Sequence, residues 1–174
     1  MTTLPEIEKV QKHFGEAVLD VAVRSTKRAT VTVNPEEIVS ISRFLFRELN
    51  FRFIIATALE THRGIEVFYH FSLDSAGLIL NLKVILDKDH TEIESLTCLF
   101  EAANWIEREM HEIIGIHFRN HPNLEKLISE GNWAEGEYPY RNRDEGQGTR
   151  DKGQGTRDKG QGTSINNCQT TTIN

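Results

Sequence analysis

Ile65, Val67, Tyr69, Phe71 and Leu73 alternate with Glu66, Phe68, His70 and Ser72, and the run breaks at Asp74-Ser75-Ala76-Gly77 before apolar residues resume from Leu78 to Leu86. A period of two puts one set of side chains on one face, which predicts β-strands with an apolar side. So short a turn leaves room only for an antiparallel return. Phe51, Phe53 and Ile55 begin a further strand ahead of this pair. A sheet with one apolar face needs a cover, and the flanking segments read as helices able to provide it.

Upstream, residues 6–14 suggest a short opening helix, followed by two strands rich in branched residues at 18–23 and 30–33. Asn34-Pro35-Glu36-Glu37 then has the makings of a helix start: Asn as cap, Pro at the first helical position and Glu37 as the acid of a capping box. Ile38, Ile41, Leu45 and Leu49 recur at helical spacing and give that helix its buried stripe. The order of strands, helix, strands, helix predicts an α+β fold: a mixed, largely antiparallel sheet with helices packed on one face, followed by an extended C-terminal segment.

The third helix is read from Leu96, Leu99, Phe100, Ala103, Ile106, Met110, Ile113 and Ile114, which share one stripe. Gly115 is expected to end it in the left-handed conformation, where a side chain would clash. The opposite face carries Glu101, Asn104, Arg108 and Glu112, with Glu107 and His111 alongside, and is read as facing solvent or a partner. Arg108 and Glu112 stand four apart and are able to pair, but an exposed helix pair contributes only about 0.3 to 0.5 kcal/mol. Stability alone does not call for this cluster.

Taken together, Glu107, Arg108, Glu109, Glu112, Ile113, Ile114, Gly115, Ile116, His121, Pro122 and Leu124 stand in the order and spacing of a known signature. They resemble that of the 30 kDa subunit family of respiratory NADH-quinone oxidoreductase (complex I), which also includes a subunit of the energy-converting membrane-bound nickel-iron hydrogenases. Ala102, Ala103, Asn104 and Trp105 fit the lead-in, and Trp133, Gly136, Pro139 and Arg141 resemble the closing segment. The resemblance covers residues 10 to 144. Glu125 replaces a usual basic residue, and Glu112-Ile113-Ile114 replaces the usual Asp-Met-Phe. These departures, with the short link after Leu86, lean toward the hydrogenase relatives.

The resemblance implies a non-catalytic peripheral subunit that braces a large catalytic subunit, beside a small iron-sulfur subunit, on the cytoplasmic side of a membrane. It implies docking through Glu107, Arg108, Glu109, Glu112, Gly115, His121, Pro122, Trp133 and Arg141. Iron-sulfur clusters and nickel-iron or flavin centres belong, on this reading, to the partners, and this chain binds no cofactor or metal.

Composition and rival motifs set bounds. A 38% apolar fraction in 174 residues suits one domain with a core, and a net charge of −6 argues against nucleic acid as a partner. No apolar run reaches the roughly 18 residues of a membrane span, and Met-Thr-Thr-Leu-Pro-Glu lacks the pattern of an export signal. The reading is therefore a cytosolic chain, or one held at a membrane by another subunit. Cys98 and Cys168 form no Cys-x-x-Cys pair, and apolar neighbours predict Cys98 to be buried and inert. His111-Glu112-Ile113-Ile114 opens like the zinc-protease motif but ends in Gly115 where the second histidine is needed. His111, His117, His121 and Glu107 are the candidates for a small metal-dependent enzyme, the alternative of another class.

Beyond Arg141 the chain changes character: residues 143–149, 150–156 and 157–163 are three copies of Arg-Asp-(Glu/Lys)-Gly-Gln-Gly-Thr. Ordering a residue costs about 1 to 2 kcal/mol, and these copies contain nothing large and apolar to offset it. The expected organisation is a domain over residues 1–144 and a disordered, repeat-containing tail over 145–174.

Overall fold

The structure, a computed structural model, describes residues 4–129, 133, 134 and 136–141. The repeats and the expected boundary at Asp144 lie outside the described residues. In chain order the elements are α1 (Pro5–Phe14), β1 (Val18–Ser25), β2 (Arg28–Val33), α2 (Ile38–Arg47), β3 (Arg52–Thr61), β4 (Gly64–Leu73), β5 (Leu78–Leu86), β6 (Glu92–Glu94), α3 (Ala103–Ile114) and β7 (His117–Arg119).

The β4–β5 hairpin is the spine of a five-stranded sheet ordered β1-β2-β5-β4-β3. Its register pairs Tyr69 with Leu82 and Phe71 with Leu80, so the two apolar alternations fall on one face. Every pairing in this sheet is antiparallel except β2 with β5, which run parallel from Arg28 opposite Ile79 to Thr32 opposite Lys83. This is the mixed, largely antiparallel α+β arrangement that the alternation predicts. Val31, Val33, Tyr69, Phe71, Leu80 and Leu82 are buried together with Val10, Ile41 and Leu45 of the first two helices and Met110 and Ile114 of the third. The opposite face carries a polar ladder across four strands. Thr57 Oγ1 meets His70 Nε2 at 3.0 Å, His70 Nδ1 meets Asn81 Oδ1 at 2.8 Å, and Asn81 Nδ2 donates to Thr30 Oγ1 at 3.3 Å.

Local readings differ from the structure in three places. Asn34 makes no side-chain cap, and Pro35–Glu37 forms a 3-10 turn before α2 begins. The capping box is replaced by a backbone bond from Glu37 N to Asn34 O at 3.1 Å. Leu96 to Phe100 is a separate turn rather than the first part of α3, although Leu96, Phe100, Met110 and Ile114 all reach the core. Cys98, placed in that turn, is exposed and not buried. Finally, β6 and β7 pair in parallel beside α3, too short at three residues each to show a periodicity.

A candidate docking surface built on the third helix and its exit

α3 ends at Gly115, whose φ of +80° and ψ of 31° are left-handed, as its position predicts. A second reason for glycine is steric, because a β-carbon there would stand about 2.5 Å from the Tyr138 ring. The chain returns through β7 to the start of the helix, where His121 meets Asn104, and then runs alongside α3 in the helix's own direction. Tyr140 N donates to Ile113 O at 3.0 Å, so the exit segment is a strap laid against α3.

The polar face of α3 is spent on holding this strap and the turn before the helix. Glu107 is fully buried and accepts from Ser95 Oγ at 2.6 Å and Leu96 N at 2.8 Å. Burial, only partly offset by these two bonds, pushes its carboxyl up to about 7. Glu112 accepts from the successive amides of Leu127, Ile128 and Ser129, each at 2.7 Å. Burial opposes its ionisation, but the amides outweigh it and hold the carboxyl at about 2. A carboxylate cradled by consecutive backbone N–H groups is the side-chain form of an anion nest. Arg108 donates from Nε to Glu125 O at 2.8 Å and from Nη2 to Lys126 O at 3.0 Å, clipping the strap one step earlier.

His121 is tied in from the other end. Asn123 N donates to its Nδ1 at 3.1 Å, which leaves Nε2 as the donor to Asn104 O at 3.2 Å. Its Nε2 lies 4.0 Å from Glu107 Oε2, both side chains being excluded from solvent. Burial lowers the histidine, and the Arg108 and His111 charges lower it further against its backbone bonds. The Tyr69 hydroxyl, reaching up from the sheet, is buried without a hydrogen bond among the described residues. Its ionisation is pushed far up by burial and then by the Glu107 charge.

The expected solvent-facing cluster is thus corrected. Glu107 and Glu112 point inward, and Arg108 serves the strap backbone instead of pairing with Glu112. Gly115 and His121 are structural in the same sense. Glu109, Pro122 and Trp133 remain at the surface. Arg141 stacks over the Tyr138 ring with its guanidinium carbon 5.2 Å from the centroid. Between α3 and the strap lies an open cavity of about 230 Å³ lined by His111, Lys126, Trp133 and Tyr138 among others. The histidines expected for a metal enzyme are divided: His111 lies beside His117 with ring centroids 6.4 Å apart and bonds Ile116 O, while His121 turns to Glu107. No group of three or more His, Cys, Asp or Glu side chains able to hold a metal occurs among the described residues.

Sequence reasoning passed over Ser95, Tyr138 and Arg119, the last bridging Glu36 at 3.0 Å and Glu94 at 3.3 Å. None stands at a spacing from its partner that a strand or helix period would flag.

The helix that locks this strap with its own acid and arginine is also the helix that carries the signature. Residues 31–150 match the model of the family described as respiratory-chain NADH dehydrogenase, 30 kDa subunit. The chain belongs to that family. Its members are subunits of multi-subunit respiratory complexes, the coarse role that the resemblance implies. A subunit of F420H2 dehydrogenase from Methanosarcina mazei is 31% identical over 143 residues, covering 80% of this chain and 90% of that one. A subunit of NADH-quinone oxidoreductase from Citrifermentans bemidjiense is 28% identical over 146 residues, covering 79% and 90%. In fold the 30 kDa-type chain is similar to a chain of the membrane-bound sulfane sulfur reductase, an archaeal respiratory membrane complex. That superposition has a TM-score of 0.69 at 22% identity over 78% of this chain and 81% of the other. A trypsin-resistant fragment of Nqo5 gives 0.57 at 17% identity, covering 68% and 96%. No helix among the described residues is long and apolar enough to cross a membrane.

Proposed function

We propose that this 30 kDa-type chain is a non-catalytic, peripheral subunit that braces the large catalytic subunit of a complex I-like oxidoreductase, using the α3 strap as its docking surface. The carrying observation is that Arg108 and Glu112 immobilise residues 125–129 from within, while Ile128, Trp133 and Tyr140 on the same strap stay exposed. Exposed aromatic and aliphatic side chains on a pre-ordered segment are what a binding surface needs, because little entropy is then lost on association. Glu109, Pro122, Trp133 and Arg141 meet the partner; Glu107, Arg108, Glu112, Gly115 and His121 hold the strap in the shape that presents them. A small iron-sulfur subunit sits alongside, the iron-sulfur and nickel-iron or flavin centres belong to the partners, and the assembly lies on the cytoplasmic side of its membrane.

The 31% identity to a subunit of F420H2 dehydrogenase favours a dehydrogenase assembly. The departures at Glu125 and at Glu112-Ile113-Ile114 favour a second reading, an energy-converting nickel-iron hydrogenase. Affinity capture of the tagged chain from its native membranes tests both levels. A co-purifying large subunit at equal stoichiometry is expected, and its failure to appear refutes the bracing role. Nickel in the captured complex selects the hydrogenase reading, and its absence the dehydrogenase one.

A further inference from the structure

His121 is fixed in one protonation state by its two ring nitrogens. Asn123 N donates to Nδ1 at 3.1 Å and Nε2 donates to Asn104 O at 3.2 Å, so the neutral ring with its proton on Nε2 satisfies both contacts. A proton added at Nδ1 sets the ring N–H against the Asn123 N–H, donor to donor, and a backbone amide cannot reverse its role. The bond that closes the turn at residues 121–123 is therefore incompatible with the imidazolium.

Nothing packed against the ring among the described residues offsets this. On α3, the Asn104 carbonyl is already taken by Nε2, and Arg108 and His111 act on the ring as positive charges. Glu107, also on α3, lies 4.0 Å away, but burial keeps its proton on up to about 7, so it is largely uncharged where a histidine titrates. Its oxygens are engaged as well, Oε1 by Leu96 N and Oε2 by Ser95 Oγ from the turn before the helix. From the sheet, Tyr69 faces Glu107 and stays neutral. On the strap, Glu125 and Lys126 are exposed and reach this region through the carbonyls that hold Arg108.

The strap has three fastenings along α3: His121 at its start, then Arg108, then Glu112. A guanidinium is a permanent cation, and the Glu112 carboxyl is held at about 2, so neither changes state in mild acid. His121 does.

We propose that His121 is an acid-sensitive latch on the strap: protonation at Nδ1 displaces the Asn123 amide, opens the turn at residues 121–123 and loosens the docking surface downstream. The last step rests on the bracing role proposed above; the opening of the turn does not. The closed turn excludes the charged ring and the open turn exposes it, so acid favours opening. With the ordinary histidine value of 6.5 in the open turn, opening rises by at most about tenfold between pH 7.5 and 5.5.

The test compares the full-length parent with His121→Asn, whose side-chain oxygen replaces Nδ1 as acceptor and does not titrate. Glu107 acts in the opposite sense over the same range, but it is present in both chains and cancels in their ratio. Hydrogen exchange at Asn123, Leu127 and Ile128, corrected for its intrinsic pH dependence, is followed from pH 7.5 to 5.5. Protection in the parent relative to the variant is expected to fall several-fold, up to about tenfold, with β4 and β5 unchanged. Nitrogen NMR of the parent gives a second reading, independent of how the variant folds. It should show a neutral ring protonated on Nε2 at pH 7.5, and loss of the hydrogen-bonded Asn123 amide signal in step with ring protonation. A constant protection ratio, or an Asn123 amide that stays bonded while the ring protonates, overturns the latch. Complex captured at pH 7.5 and washed at pH 5.5 tests its reach: the parent should release the large subunit several-fold more than His121→Asn, and equal release overturns the hold on the docking surface. If the parent captures no large subunit at pH 7.5, the bracing role fails, and exchange and NMR still decide the latch.

Discussion

Glu107 Oε2 and His121 Nε2 lie 4.0 Å apart in a site closed to solvent, and burial moves the two in opposite directions, the acid up to about 7 and the histidine down. Each shift favours the uncharged form, so the pair does not behave as a surface salt bridge would. The contact joins α3 to its exit segment at the point where the strap begins.

Stability should therefore depend on pH near neutrality. Glu107 has a folded pKa above its ordinary 4.5, so its favourable contribution is fully present below pH 4.5 and is lost as pH rises through about 7. The loss for this group is roughly 3 kcal/mol at one pKa unit per 1.36 kcal/mol. His121 is shifted down from 6.5, so its contribution is present above that value and lost as pH falls below it. Glu107→Gln should remove most of the decline between pH 5 and 7.5 while leaving the histidine's limb. Urea melts across that range check it, and a parental slope surviving in the variant would contradict the assignment.

Glu112→Ala leaves the amides of Leu127, Ile128 and Ser129 without their acceptor. These bonds are only partly buried, so an unsatisfied donor costs at most about 1 to 3 kcal/mol, and the strap escapes that cost by detaching into water. Hydrogen exchange at residues 127–129 should accelerate at least about tenfold, equivalent to roughly 1.4 kcal/mol, while exchange in β4 and β5 is unchanged. Equal acceleration throughout the sheet would show that the strap and core open together.

Arg108→Ala should act through the strap. It removes two bonds to Glu125 and Lys126 carbonyls that water replaces at little cost, so the isolated domain should lose less than about 1 kcal/mol. Presentation of Trp133 and Tyr140 becomes loose, and co-purification with the large subunit should fall sharply. Undiminished capture would mean that the strap needs no clip.

Gly115→Ala and Met110→Ala probe the helix from its end and its buried side. The first forces an alanine to φ of +80° against the Tyr138 ring and should lower stability by at least about 1 to 2 kcal/mol, with a change in Tyr138 exposure by near-ultraviolet dichroism. The second empties a site that is 3% exposed and should cost about 2 to 5 kcal/mol with no local signature at Tyr138. Matching spectra for the two variants would argue that Gly115 acts only through its backbone.

What could be read directly from residue order was whatever repeats with a local period or depends on one backbone conformation. The alternation through Ile65–Leu73 and Leu78–Leu86 determined a hairpin with one buried face; Ile38, Ile41 and Leu45 determined the stripe of a covering helix; Gly115 determined where α3 stops. The signature residues determined the family. The tertiary structure alone decided what the polar face of α3 meets. Glu112 finds its amides 15 to 17 positions along the chain, Arg108 its carbonyls 17 and 18 positions along, and Glu107 its serine 12 positions back. No helical or strand period links such positions. A charged side chain on a helix face looks the same in sequence whether water or a returning segment covers it, and only the path of the strap, set by the turn at Gly115 and the packing of Tyr138 against it, turned an apparent solvent face into an internal clamp.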